Sequence, residues 1–129
     1  MEKILRIEEV SQDYTDGYAI VTDKQTIKLL IDNQQCCCED WGYFMSDDDL
    51  EYFIGSNLID VAVVSDSVPL CVKKLREHLP YGIEDGNVMF VNIITDKGVL
   101  QFVAYNAHNG YYGHSAYVFS EQVKYETSL

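Results

Sequence analysis

Apolar and polar positions alternate at strand length along much of the chain. The segments AIVTDKQTIKLLIDN (19–33) and NIITDKGVLQFVAYN (92–106) each place two such runs around a polar tetrapeptide, and each predicts a β-hairpin. In the second, T-D-K-G fits a tight turn: Gly98 takes the positive φ that closes it, and Asp96 bonds its own backbone nearby. Gln25 stands in place of that glycine in the first, so its turn is less sharply specified. At an offset of 73 residues, Thr22, Asp23, Lys24 and Asn33 match Thr95, Asp96, Lys97 and Asn106. Apolar Ile27, Leu29 and Ile31 fall on Leu100, Phe102 and Ala104. The repeat suggests a chain organised around two related hairpins.

NLIDVAVVSD (57–66), VMFVNIIT (88–95) and HSAYVFS (114–120) extend the strand pattern. Residues 3–10 fit either a strand or a short helix. Ser46 suits a helix N-cap, Asp47, Asp48 and Asp49 suit its first turn, and Gly55 suits its end, so a helix is expected with Leu50, Phe53 and Ile54 on one face. A second helix is expected within 68–82, ended by Pro80. The expected fold is α+β: a mostly antiparallel sheet of five to seven strands built from two similar hairpins, with one or two short helices on one face.

With 129 residues, 47% of them apolar, the chain is expected to form one domain around one core (1–129). No apolar run reaches the roughly 20 residues that span a bilayer, and the N-terminus lacks signal-peptide features, so a cytoplasmic protein is expected. Three of the four cysteines are contiguous, a poor arrangement for disulfides and a better one for reduced thiols. The net charge of −12 disfavours direct binding to nucleic acid, whose phosphates demand cationic neutralisation. It permits the opposite relation, an acidic surface seated on a basic nucleic-acid enzyme.

Two segments concentrate chemistry. QQCCCEDWGYF (34–44) offers Glu39 and Trp41 as candidate binding residues, and AHNGYYGH (107–114) offers His108, Asn109, Gly110, Tyr111 and Tyr112. Both segments follow the second strand of a predicted hairpin, so they leave equivalent ends and are candidates to meet in one pocket. Zinc would require Cys36 and Cys38 to be joined by His108 and His114 or by Cys71; no C-x-x-C pair is present, and neither metal nor cofactor is expected. Cys37 and Cys38 are weak candidates for a nucleophile with His114 as base, because neighbouring carboxylates raise a thiol's pKa and disfavour the thiolate. Small thiols packed at a strand end are the simpler reading. Asp40, Asp47, Asp48, Asp49 and Glu51 join Glu39 in an acidic surface of six carboxylates within thirteen residues.

In combination, QQCCCEDWGYF, TDKGVLQF and NGYYGHS resemble a family of small, uncharacterised phage and prophage proteins with a C-C-E segment and a later K-G and N-G-Y-Y motif. The resemblance spans about residues 17–120 and falls on Cys37, Cys38, Glu39, Gly98, Asn109, Gly110, Tyr111 and Tyr112. Cys36 is additional to the usual pair, and Gly113-His114 replaces a serine and an acidic residue, which weakens any mechanism through His114. The resemblance implies a mobile-element protein of a bacterial host. The expected function is a non-catalytic, anti-defence binding protein whose acidic surface mimics nucleic acid and blocks a basic host protein, such as a CRISPR or other nuclease. The alternatives are a module sequestering a small signalling molecule between the 36–44 and 106–114 loops, and a cysteine-dependent enzyme.

Overall fold

The computed structural model describes residues 1–34, 41–64, 72–78, 87–106 and 114–129. Its strands are β1 (Glu2–Gln12), β2 (Thr15–Thr22), β3 (Thr26–Asp32), β4 (Trp41–Met45), β5 (Asn57–Val64), β6 (Asn87–Thr95), β7 (Gly98–Asn106), β8 (Ser115–Phe119) and β9 (Lys124–Ser128). All pair antiparallel in one sheet of nine strands, ordered β4-β7-β6-β5-β1-β2-β3-β8-β9. The expected α+β fold with helices covering one face is therefore wrong. Among the described residues the only helical elements are α1 (Val72–His78) and a 3₁₀ turn at Leu50–Phe53.

The helix expected from Ser46 is replaced by that single turn. Asp49 rather than Ser46 precedes it, and its side chain makes no capping bond. Phe53 is drawn into the core, Gly55 reverses the chain at φ +86°, and Gly55 N–H donates to Ile4 O at 2.8 Å. One turn cannot offset the cost of helix nucleation, so tertiary anchors decide its form. Residues 3–10 lie in β1, where a bulge between Ile4 and Arg6 resets the alternation and lets Ile4 and Ile7 share a face at a spacing of three.

The two hairpins are related far beyond their turns. In each, the threonine hydroxyl (Thr22 or Thr95) accepts the N–H two residues on; Thr95 donates to Gly98 O at 2.8 Å, and Thr22, 3.2 Å from Gln25 O, lies closer to Glu2 Oε2 at 2.6 Å. The aspartate beside it then ties the turn to the start of the preceding strand: Asp23 Oδ1 accepts Lys3 N–H at 3.0 Å, and Asp96 Oδ1 accepts Asn57 N–H at 2.9 Å. Lys3 and Asn57 face each other where β1 pairs with β5. Leu5 and Ile59 occupy matching bulges, and the order of the first eight strands reads the same from either end about the β1–β5 pair. The chain is thus two four-stranded units about an internal pseudo-twofold axis.

The fourth strand of each unit is exchanged. Instead of joining β3, β4 pairs with β7, Trp41 opposite Asn106; β8, instead of joining β7, pairs with β3, Lys28 opposite Phe119. The two halves fold face to face over a single core of Ile4, Ile20, Ile27, Leu29, Ile31, Met45, Val91, Ile93, Phe102 and Val118, among others. Tyr18 on β2 meets Phe102 on β7 edge-on across this core, at 6.2 Å between centroids. A second cluster of Phe44, Phe90, Val103 and Tyr105 lies on the opposite face of β7, packed against Leu75 of α1. No described helix is long and apolar enough to cross a membrane.

Candidate functional site

WGYFM forms β4 rather than part of a loop at 36–44. Its alternation places Trp41, Tyr43 and Met45 against the main core, and Phe44 against the second cluster beneath α1. Gly42 allows the Tyr105 side chain to cross the strand: a Cβ at residue 42 would lie 2.4 Å from the Tyr105 hydroxyl. That hydroxyl sits 2.9 Å from Nδ1 of His78, whose ring stacks on Phe44 at 4.7 Å.

Around β4 opens a cleft of ≈ 640 Å³. Its inner wall carries Tyr18 and Glu9, which oppose one another across β1 and β2, together with Tyr43 from β4. Tyr18 and Tyr43 meet edge to face at 5.8 Å, and the Tyr43 hydroxyl donates to Glu9 Oε2. Its rim carries Asp47, Asp48, Lys74, Glu77 and His78. Lys74 pairs with Asp48 and also donates to Met45 O at 2.7 Å. Four carboxylates therefore face one ammonium. Partial burial, then Glu9, push the Tyr18 and Tyr43 hydroxyls to higher pKa, so both stay neutral donors at physiological pH.

The pseudo-twofold axis shows how specific this arrangement is to one unit. The bulge register makes Val63 the counterpart of Glu9, and the 73-residue offset makes Val91 and Ala116 the counterparts of Tyr18 and Tyr43. The second unit is apolar at these places. The hollow beside Val63 measures ≈ 150 Å³ and has Met89, Tyr125, Thr127 and the buried Leu129 among its described walls. In one unit β9 and Leu129 wall the hollow, and the other presents aromatic rings and carboxylates.

Of the expected site residues, Trp41, Asp47, Asp48, Asp49, Glu51 and His114 are described; Cys36, Cys37, Cys38, Glu39, Asp40, Cys71, His108, Asn109, Gly110, Tyr111 and Tyr112 lie outside the described residues. Of the two motif segments, Trp41 and His114 are described and stack at 5.3 Å; these residues are themselves 73 positions apart. His114 is fully buried, donates from Nδ1 to Asp32 O at 2.7 Å, and exchanges backbone bonds with Leu129, an architectural role where the exchanged strands cross. Asp47, Asp48, Asp49 and Glu51 are exposed as expected, but only Asp47 and Asp48 line the cleft. No group of three or more potential metal ligands occurs among the described residues.

Glu9, Tyr18, Lys74, His78 and Tyr105 were not anticipated from sequence. For Glu9 and Tyr18 the signal was the broken repeat, with a polar or aromatic residue in one copy where the other has Val63 or Val91; Lys74, His78 and Tyr105 carried no such signal. The chain is 24% identical over 104 residues to the "Uncharacterized protein L278" of Acanthamoeba polyphaga mimivirus, covering 81% of this chain and 77% of that protein. No solved structure matches it. Residues 2–118 match the family described as Domain of unknown function (DUF7448), and the chain belongs to that family.

Proposed function

We propose that this is a non-catalytic binding protein of phage or prophage origin that acts against host defence by occupying a basic surface of a host protein, such as a nuclease. The observation that carries the reading is the asymmetry between units. Where the second unit has Val63, Val91 and Ala116, the first has Glu9, Tyr18 and Tyr43, and there it opens a cleft with four carboxylates, one ammonium and the rings of Tyr18, Trp41 and Tyr43. Carboxylates beside aromatic faces form a receptor for guanidinium or ammonium groups, each cation–π contact contributing about 0.5–2 kcal/mol. The net charge of −12 adds long-range steering toward a cationic partner, and the similarity to a viral protein agrees with a mobile-element source.

Inhibition of purified basic host nucleases, CRISPR effectors among them, tests the proposal. Cleavage should be suppressed stoichiometrically at low salt, with suppression fading as ionic strength shortens the Debye length. Replacing Asp47, Asp48 and Asp49 by lysine should weaken it at least about tenfold by reversing two charges at the rim and a third in the exposed turn beside it. Suppression indifferent to salt and to these replacements would overturn the reading, as would no suppression of any nuclease.

A further inference from the structure

We infer that β4 is the docking edge for an extended, basic segment of the partner, which adds to the sheet as a tenth, antiparallel strand. The inference rests on the proposed function and specifies how the partner is held. The internal symmetry shows the occupant's form. β8 is the counterpart of β4, and its outer edge is covered by β9, Ser115 opposite Ser128 through Phe119 opposite Lys124. The residues that the 73-residue offset would place on β4 in the same way form the 3₁₀ turn instead, so no described strand covers β4 on that side.

The register identifies which backbone groups point away from β7 there. Ser46 N–H donates to Gln101 O, so residues 42, 44 and 46 turn their hydrogen-bonding groups toward β7. Those of Trp41, Tyr43 and Met45 then point to the open edge, in agreement with the Lys74 ammonium that reaches Met45 O. Lys74 closes one end and leaves the stretch around Tyr43 for pairing.

The occupant's chemistry follows from the same alternation. In an antiparallel hydrogen-bonded pair, the opposed residues share a face of the sheet. A residue bonded to Tyr43 therefore points its side chain into the cleft beside Glu9 and Tyr18, which suits arginine or lysine. A second copy of this chain is a poor occupant, since acidic rims would meet at a net charge of −12 each. Exposed ion pairs are individually weak, so backbone bonds along the edge supply what charge alone does not.

The test uses a blocked hexapeptide of alternating arginine and valine, titrated into the full-length protein. Binding should weaken about tenfold in Glu9→Gln/Asp47→Asn, two charge contacts being removed. N-methylation of the arginine amides, which face β4, should weaken it more than about tenfold, whereas N-methylation of the valine amides should leave it nearly unchanged. The Tyr43 amide should become protected from hydrogen exchange on binding. Equal effects of the two methylations, or an unprotected Tyr43 amide in a charge-dependent complex, would overturn strand addition while leaving the proposed function standing. No binding, or binding indifferent to Glu9→Gln/Asp47→Asn, would overturn both.

Discussion

Gly42→Ala probes the joint between the cleft and the second hydrophobic cluster. The new methyl would lie 2.4 Å from the Tyr105 hydroxyl oxygen, 2.7 Å from Cζ and 3.1 Å from Cε1, against ordinary contacts of about 3.5–4 Å. Tyr105 is only 5% exposed and is flanked by Phe44 and His78, so its ring cannot swing away without disturbing both. Overpacking of this kind costs about 1–3 kcal/mol, and losing the hydrogen bond to His78 adds about 1 kcal/mol. Replacing a strand glycine returns about 0.5–1 kcal/mol of backbone entropy. The net loss should be about 1.5–3 kcal/mol, which lowers a urea midpoint by about 1 M for a domain of this size. The decisive assay is a double-mutant cycle with Tyr105→Ala. Once the ring is gone, Gly42→Ala should be neutral or slightly stabilising. Additive losses within about 0.5 kcal/mol would refute the claim that the glycine is required by Tyr105.

Other positions separate contact from conformation. Gly17→Ala places a Cβ 1.8 Å from the Leu29 carbonyl oxygen, a backbone atom that cannot step aside, and should cost about 3 kcal/mol or more by urea unfolding. Gly55→Ala meets nothing within 4 Å but sits at φ +86°, so the same assay should read about 1 kcal/mol. Backbone and side-chain bonds from Asn57 hold the Asp96 carboxyl below its usual pKa. Its contribution is therefore present above the unfolded value of about 3.9 and is lost as pH falls through the lower folded one. The stability gap between wild type and Asp96→Asn should be open at pH 7 and narrow toward pH 2.5; a constant gap would contradict the assignment.

The hairpins at 19–33 and 92–106 were legible because their information is local: alternation, and a threonine-aspartate turn whose hydrogen bonds act within a few residues. The strand exchange was not. Whether β4 follows β3 or crosses to β7 depends on contacts more than fifty residues away, and W-G-Y-F-M and H-S-A-Y-V share no identical position at the 73-residue offset. The false helix at 46–55 came from carboxylates that suit an N-terminus but stand on the cleft rim and in an exposed turn. β9 escaped notice because K-Y-E-T-S is an exposed edge with little apolar content. Asp47, Asp48, Asp49 and Glu51 of the expected acidic surface are exposed, and Glu39 and Asp40 lie outside the described residues; the association of Asp47 and Asp48 with Glu9, Tyr18 and Tyr43 required the fold.

The most direct test of the central claim, that the first unit's cleft and not overall acidity recognises cations, is an NMR titration of the isotopically labelled protein with N-acetylarginine methylamide. Saturable shifts should concentrate at Tyr18, Tyr43, the Trp41 indole and Asp47, with Glu9→Gln/Asp47→Asn removing them. Small shifts spread evenly over exposed carboxylates such as Asp13, Asp23 and Asp60, unchanged in that variant, would contradict the account.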